Sequence, residues 1–287
     1  MLARSRRCLM TLLASGLLAL AGGAAWSADG SHADLPGVRL WFTDSGGSGK
    51  PLVLLHANTG ASPIWEPQVQ AYAQAGYRVI AFDRRGWGRS LAVASSGAQP
   101  GTVAGDLDAL LDHLKLPKVY LLGVAGGGFV GIDYAAWRPE RVAGLVVAAS
   151  SARLDSEPEM REITARIDMP GRRSLPVVFM EVGPAYRSAD PAGTARWLEH
   201  EKQARQAGAT DQPLRTLNSY AKLETIAAPT LVIAGGADLI APPGLMALWA
   251  RHVRGAEFVS ISDAGHAVAW EKPAEFNAAV LDFLRRH

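Results

Sequence analysis

Short apolar segments alternate with helical patterns along most of the chain. Uninterrupted apolar strands that are separated by helices are typical of a parallel sheet covered on both faces. The pattern therefore predicts an α/β fold with a mostly parallel central sheet. The segments are PLVLLHANTG (51–60), YRVIAFDRRG (77–86), VYLLGVAGGG (119–128), VAGLVVAAS (142–150), PTLVIAGGAD (229–238) and AEFVSISDAGH (256–266).

Two of the intervening segments place apolar residues on one helical face. This spacing is typical of helices that pack on a sheet, so we interpret both faces as core. The first comprises Leu107, Leu110, Leu111 and Leu114, and the second, after Pro273, comprises Phe276, Val280 and Leu284.

The alternation stops between about residues 154 and 225. This stretch is more polar, contains six prolines and includes an amphipathic helix candidate, AGTARWLEHEKQARQAG (192–208). An insertion at this point of an open α/β sheet lies over the carboxyl ends of the strands, where ligands bind. We predict an inserted helical cap over about 152–226, called the cap segment below.

The first 28 residues have the pattern of an export signal. Arginines within residues 4–7 precede an apolar run that ends near Leu20, and small residues between Ala25 and Ala28 offer cleavage points. An uncleaved membrane anchor is the alternative, but the run is short for a membrane span. We predict a mature domain over 29–287, periplasmic or secreted.

Removal of this signal changes the charge and the cysteine content. The signal contains three arginines and no acidic residue, so its removal lowers the formal net charge by three, from +2 to −1. Basic residues are interspersed with acids, which argues against nucleic acid or an anionic membrane as a partner and leaves a small-molecule substrate. Cys8, the single cysteine, leaves with the signal, which excludes disulfides and thiolate chemistry.

A glycine-rich turn follows the predicted strand at 119–124. Gly123, Val124, Ala125, Gly126 and Gly127 fit the pattern of a nucleophile elbow, in which a sharp turn between strand and helix raises one side chain above the sheet. Small residues flank that position because the turn brings neighbouring backbone close. An ordinary glycine-rich turn is the alternative, although neither a dinucleotide nor a Walker motif is present.

Asp238 and His266 follow the next strands in glycine-containing loops. An acid and then a histidine after the elbow is the chain order of an α/β-hydrolase triad. From about residue 38 onward, the chain resembles the α/β-hydrolase superfamily in four landmarks. They are HANTG (56–60), DRRGWGRS (83–90), the elbow GVAGGG (123–128), and the Asp238 and His266 loops.

The resemblance implies roles for several residues near these landmarks. The backbone N–H groups of Asn58 and Gly126 would form an oxyanion hole. His56 would hold its own loop, and Asp83 and Arg85 would brace the turn after the fourth strand. The cap aromatics and their neighbours are interpreted as an apolar substrate surface, with packing of the cap as the alternative. These residues are Trp65, Phe179, Met180, Tyr186 and Trp197.

Ala125 departs from the family pattern, because an alanine cannot form an acyl-enzyme. In our leading interpretation, Asp238 and His266 activate water for attack on a small ester, lactone, or enol or imine compound. The elbow resembles that of superfamily branches that rely on a His-Asp dyad. A serine esterase, lactonase or amidase whose nucleophile was changed to alanine is the second interpretation. A non-catalytic binding protein is the third. No metal or organic cofactor is implied, and Thr59, Ser150 and Ser151 are poor alternative nucleophiles.

Overall fold

The predicted apolar segments form the parallel part of a single sheet. The structure is a computed structural model and describes residues 30–168 and 170–287, so the predicted export signal lies outside the described residues. The strands are β1 Ser31–Leu35, β2 Val38–Asp44, β3 Pro51–Leu55, β4 Arg78–Phe82, β5 Leu91–Ala92, β6 Val119–Val124, β7 Val142–Ala148, β8 Thr230–Gly235 and β9 Glu257–Ile261.

The strand order is β1-β2-β4-β3-β6-β7-β8-β9, with β5 paired to β2. From β4 to β9 all neighbours are parallel, whereas β1, β2 and β5 pair antiparallel at one end. The sequence pattern predicts the parallel strands but not this antiparallel end, because β1 and β2 alternate polar and apolar residues and lie outside the apolar segments. The α/β-hydrolase fold class predicted from the sequence is confirmed.

Helices cover both faces of the sheet. Several short 3₁₀ turns lie between them. The α-helices are α1 Glu66–Gln74, α2 Val103–His113, α3 Gly126–Trp137, α4 Pro158–Ile167, α5 Val177–Glu181, α6 Pro184–Ala189, α7 Pro191–Ala204, α8 Tyr220–Leu223, α9 Pro243–Ala250, α10 Val268–Glu271 and α11 Pro273–Arg286.

Successive residues of the central strands pack into opposite core layers. Val53 and Leu55 of β3 belong to the layer under α2, α3 and α9, while Leu52 and Leu54 belong to the layer under α1 and α11. A strand buried on both faces has no polar face, which explains the uninterrupted apolar runs. Both predicted helical stripes lie in these layers, although Leu114 falls just after α2 and is only partly buried.

The stretch between β7 and β8 carries α4 to α8, and α7 overlaps the amphipathic helix predicted from the sequence. Pro191 occupies the first turn of α7, and the Asp190 side chain caps its amino end by accepting a hydrogen bond from Gly193 N. Trp197 on this helix is fully buried. None of the helices in the described ranges has the length and apolarity needed to cross a membrane.

Candidate active site

The elbow residue Ala125 lies between the end of β6 and the start of α3. Its backbone has φ 50° and ψ −112°, a region that costs a non-glycine residue about 1–3 kcal/mol. The Ala125 N–H donates to the carbonyl of Ala148, and the Ser150 hydroxyl donates to the carbonyl of Ala125, both at 2.9 Å. The surrounding backbone thus holds this strained turn around an alanine.

The flanking glycines are required by close backbone approach. A Cβ on Gly123 would collide with the carbonyl of Gly127, and one on Gly127 would collide with the carbonyl of Leu55. A Cβ on Gly126 would lie 3.0 Å from Cγ of Asn58, so the Asn58 carboxamide lies directly against the elbow. This contact brings the HANTG loop and the elbow together.

Asp238 and His266 form a buried pair at the carboxyl edge of the sheet. His266 Nδ1 donates to Asp238 Oδ2 at 2.8 Å, and each residue is 4% exposed. The other oxygen of Asp238 accepts from the backbone N–H groups of Ile240 and Ala241. These bonds fix the position of the carboxylate. The carboxylate in turn orients the imidazole through Nδ1, which leaves Nε2 free of this bond.

His266 lines a cleft that is mostly apolar, called the apolar cleft. Its volume is about 430 Å³, part of which is open to solvent. Val124, which precedes the elbow alanine, also lines it. The other residues that characterise this cleft are Ile64, Trp65, Glu181, Trp197 and Trp270.

Glu181, at the end of α5 in the cap segment, brings a second carboxylate into the apolar cleft. The Thr59 hydroxyl approaches its Oε2 at 3.4 Å, and its backbone carbonyl accepts a hydrogen bond from Ala267, the residue after His266. Burial raises the pKa of Glu181, and the nearby His266 lowers it by less. The sequence interpretation missed this residue, although one acid within the apolar run VVFMEV was a usable signal.

The charge state of His266 follows from these neighbours. Burial lowers the pKa of its imidazole, but the carboxylates of Asp238 and Glu181, with a smaller contribution from Glu271, outweigh burial and raise the pKa to about 9. For Asp238, burial raises the pKa of the carboxyl, but His266 and the two backbone donors outweigh burial, so the pKa lies below its ordinary value. The arrangement therefore favours an imidazolium between carboxylates at neutral pH.

Asn58 and Gly126 are the residues for which sequence resemblance implied an oxyanion hole. Within residues 30–168 and 170–287, neither backbone N–H donates to a protein acceptor. The Asn58 side chain is held from the other side, because Nη2 of Arg84 donates to its Oδ1 at 2.9 Å. Gly126 begins α3, so its N–H is one of the unpaired donors at a helix amino end.

Only two of the five residues predicted to form the substrate surface line the apolar cleft. Trp65 and Trp197 line the apolar cleft. Phe179, Met180 and Tyr186 line none of the clefts described here. Phe179 is 45% exposed and packs under the guanidinium of Arg187, and the Tyr186 hydroxyl donates to Asp190. None of the three is among the residues that line the apolar cleft, although Tyr186 packs against the cluster of Val182, Trp197 and Ala267.

The residues interpreted as structural make bracing contacts. His56 is buried, and its Nε2 accepts from the backbone N–H of Arg84. Asp83 accepts from the N–H groups of Ser62 and Arg89, and Arg85 forms a two-bond pair with Asp106. Ser150 is fully buried against the elbow carbonyl. No group of His, Cys, Asp and Glu side chains in the described parts of the chain is arranged to hold a metal ion.

Comparison with known proteins gives the class. The model of an alpha/beta hydrolase family matches residues 52–279, and the chain belongs to this family. It is 32% identical over 253 residues to RutD of Variovorax paradoxus, described as a carbamate hydrolase, covering 83% of this chain and 92% of that protein.

Two solved structures are similar over most of their length. A thermophilic esterase from Thermogutta terrifontis, with malate bound, has a TM-score of 0.73 at 29% identity, covering 89% of this chain and 97% of its own. The enol-lactonase from Burkholderia xenovorans LB400 has a TM-score of 0.71 at 26% identity, covering 88% and 99%.

Proposed function

We infer that this protein is a hydrolase of small carbonyl compounds that works without a serine nucleophile. The substrates proposed are an ester, a lactone, or an enol or imine compound. The observation that carries the proposal is the buried His266–Asp238 pair, which lines a cleft beside an elbow occupied by alanine. Similarity to a carbamate hydrolase, an esterase and an enol-lactonase supports hydrolase chemistry on small molecules.

In the proposed reaction, Nε2 of neutral His266 removes a proton from water while the water oxygen bonds to the substrate carbonyl carbon. The carbonyl oxygen gains the negative charge, and the N–H groups of Asn58 and Gly126 stabilise it. When the tetrahedral intermediate collapses, the bond to the leaving group breaks, and the proton on Nε2 passes to that group. The Asp238 carboxylate stabilises the imidazolium between these steps.

The absence of a hydroxyl at position 125 is consistent with this use of water. A side chain that ends at Cβ leaves the volume that a serine Oγ would fill, and His266 keeps its orienting carboxylate. A protein that only bound ligands would need neither a fixed imidazole nor a buried acid behind it. We further propose that the mature domain is exported, on the basis of the sequence of the first 28 residues.

A serine hydrolase with an altered nucleophile is the second candidate, and one observation favours it. Alanine at φ 50° is strained, and a strained elbow is the conformation that presents a nucleophile. Under this interpretation the strain serves a side chain that this sequence does not contain.

One panel of substrates separates these candidates. Short esters, lactones, and enol or imine compounds are incubated with the unaltered protein, with His266→Ala and with Ala125→Ser. Turnover by the unaltered protein that is lost in His266→Ala supports the proposal. A burst of acyl-enzyme and a strong gain in Ala125→Ser favour the altered serine hydrolase. Binding without turnover in all three proteins would contradict both.

A further inference from the structure

Arg84 is a buried cation that forms no direct salt bridge in the part of the chain that the structure describes, although Asp211, which lines the same cleft, acts on its charge from a distance. Its side chain lies beside the elbow and is held by neutral acceptors, the carbonyl of Ala57 at 3.2 Å and Oδ1 of Asn58 at 2.9 Å. The residue is 6% exposed, and its Nε is buried without a hydrogen-bond acceptor. A buried charge that no carboxylate contacts directly is costly, so the site favours an anion at hydrogen-bond distance.

The next residue in the same turn provides the contrast. Arg85 is 5% exposed, and its guanidinium donates to both carboxylate oxygens of Asp106, at 2.8 and 2.6 Å. The remaining donors of Arg85 reach the carbonyls of Pro36 and Ala98. The fold therefore supplies a full set of partners to one of two adjacent arginines and leaves the other incompletely satisfied.

Arg84 lines a second cleft, called the polar cleft, with a volume of about 470 Å³ that includes open solvent. Among the described residues, two arginines and one acid line it. Arg153 is half exposed and lies 3.8 Å from Asp155, while Asp211, the acid of the lining, is paired with Arg205 at 2.9 Å. The lining includes Asn58, Arg84, Gly126, Phe129, Arg153 and Gln212.

The two clefts border the elbow at the residues that precede and follow Ala125. Val124 lines the apolar cleft with His266, and Gly126 lines the polar cleft with Arg84. A carbonyl group above Ala125 would therefore have apolar side chains on one side and a guanidinium on the other. The N–H groups at the amino end of α3 add to the positive potential on the Arg84 side.

We propose that the polar cleft is a carboxylate-binding subsite, and that the substrate carries a carboxylate on one side of its reactive carbonyl and an apolar group on the other. Nη1 of Arg84 and the side chain of Arg153 bind the carboxylate. The placement of the carbonyl rests on the proposed function, whereas the anion site itself rests on the contacts of Arg84 alone.

The first experiment measures binding without turnover. Calorimetry compares glutarate with its neutral diamide, on the unaltered protein and on Arg84→Gln, Arg84→Lys, Arg153→Gln and the exposed cap control Arg196→Gln. Glutarate is expected to bind about 10- to 100-fold more weakly to Arg84→Gln, because a hydrogen-bonded charge pair is lost. Arg84→Lys should recover part of this loss, Arg153→Gln should lose less, and Arg196→Gln should not change.

The second experiment uses monoethyl glutarate and its amide counterpart ethyl glutaramate, which differ only in charge. The ratio of their kcat/KM values cancels general damage to the elbow, including any movement of Asn58. We expect the unaltered protein to prefer the acid and Arg84→Gln to lose at least tenfold of that preference. An unchanged ratio in Arg84→Gln, or glutarate binding that is independent of Arg84, overturns the subsite. Arg84-dependent binding without turnover of either ester supports the subsite and contradicts only the proposed function.

Discussion

Glu181 of the cap segment and His266 of the sheet edge lie in one apolar cleft, and each shifts the pKa of the other. Burial disfavours charge on both side chains, but opposite charges in the same cleft favour the charged form of each neighbour, although the two groups form no salt bridge. Asp238 accepts a hydrogen bond from Nδ1 of the same ring. His266 is therefore influenced by two acids that come from different parts of the chain.

The first prediction concerns the pH dependence of turnover. General-base action needs neutral imidazole, and the carboxylates raise the pKa of His266 to about 9. The value of kcat/KM is therefore expected to rise with pH through neutrality and to reach half of its maximum near pH 9. In Glu181→Gln one anion is removed, so the pKa of His266 falls and the rising limb moves to lower pH. Proton NMR of the imidazole measures the same shift without substrate.

Glu199→Gln on α7 is the matched control, because it removes an exposed cap carboxylate outside the apolar cleft. Its pH profile should overlay that of the unaltered protein. If the rising limb of the pH profile does not move in Glu181→Gln, the charge of Glu181 does not affect the pKa of His266. The raised pKa also makes the folded state bind more protons than the unfolded state, so the stability contributed by His266 is lost as pH rises through about 9.

The second prediction concerns the side chain at the elbow. If His266 activates water above Ala125, the hydroxyl of Ala125→Ser occupies that volume, and turnover should fall by roughly tenfold. Ala152→Ser is the control, because Ala152 is also a buried alanine at positive φ, 57°, and lines neither cleft. It reports the effect of adding a buried hydroxyl at a positive-φ alanine outside both clefts. A large gain with burst kinetics in Ala125→Ser would instead identify position 125 as a nucleophile site.

The third prediction concerns Gly126. A methyl group there would displace the Asn58 carboxamide, because the added carbon would lie 3.0 Å from Cγ of Asn58. We expect Gly126→Ala to lower kcat by about 10²–10³, the range for loss of an oxyanion donor, with a small change in the free energy of unfolding. Gly244→Ala on α9 meets open space and should leave kcat unchanged. Equal kcat values in the two variants would exclude Asn58 and Gly126 from the reaction.

The parallel half of the sheet could be predicted because burial on both faces removes polar residues from strands such as β3 and β6. The antiparallel end could not, because β2 alternates and resembles an exposed segment. A similar difficulty limits prediction of the cap segment. Its short helices have few apolar positions, so the sequence does not indicate which of Phe179, Met180 and Glu181 faces the cleft.

The Asp238–His266 pair was predictable from its position after consecutive strands, because carboxyl ends of parallel strands meet at one edge. The role proposed for Arg84 could not be predicted from the sequence. In DRRGWGRS two adjacent arginines look equivalent, and only tertiary contacts separate Arg85, which pairs with Asp106, from Arg84, which turns toward Asn58. Local sequence carries no record of a partner 21 residues away.

Glu271 joins the cap segment to the His266 loop, and this contact gives the last prediction. Its Oε2 accepts from Gly183 N at 3.1 Å and from Gly265 N at 2.9 Å, and all three residues are buried. Glu271→Ala leaves two buried donors unpaired, at about 1–3 kcal/mol each, so the free energy of unfolding should fall by roughly 2–6 kcal/mol. Glu271→Gln keeps an acceptor oxygen and should lose less. Denaturant unfolding at neutral pH measures both values, and a loss below about 0.5 kcal/mol in Glu271→Ala would mean that the cap is held to the loop by other contacts.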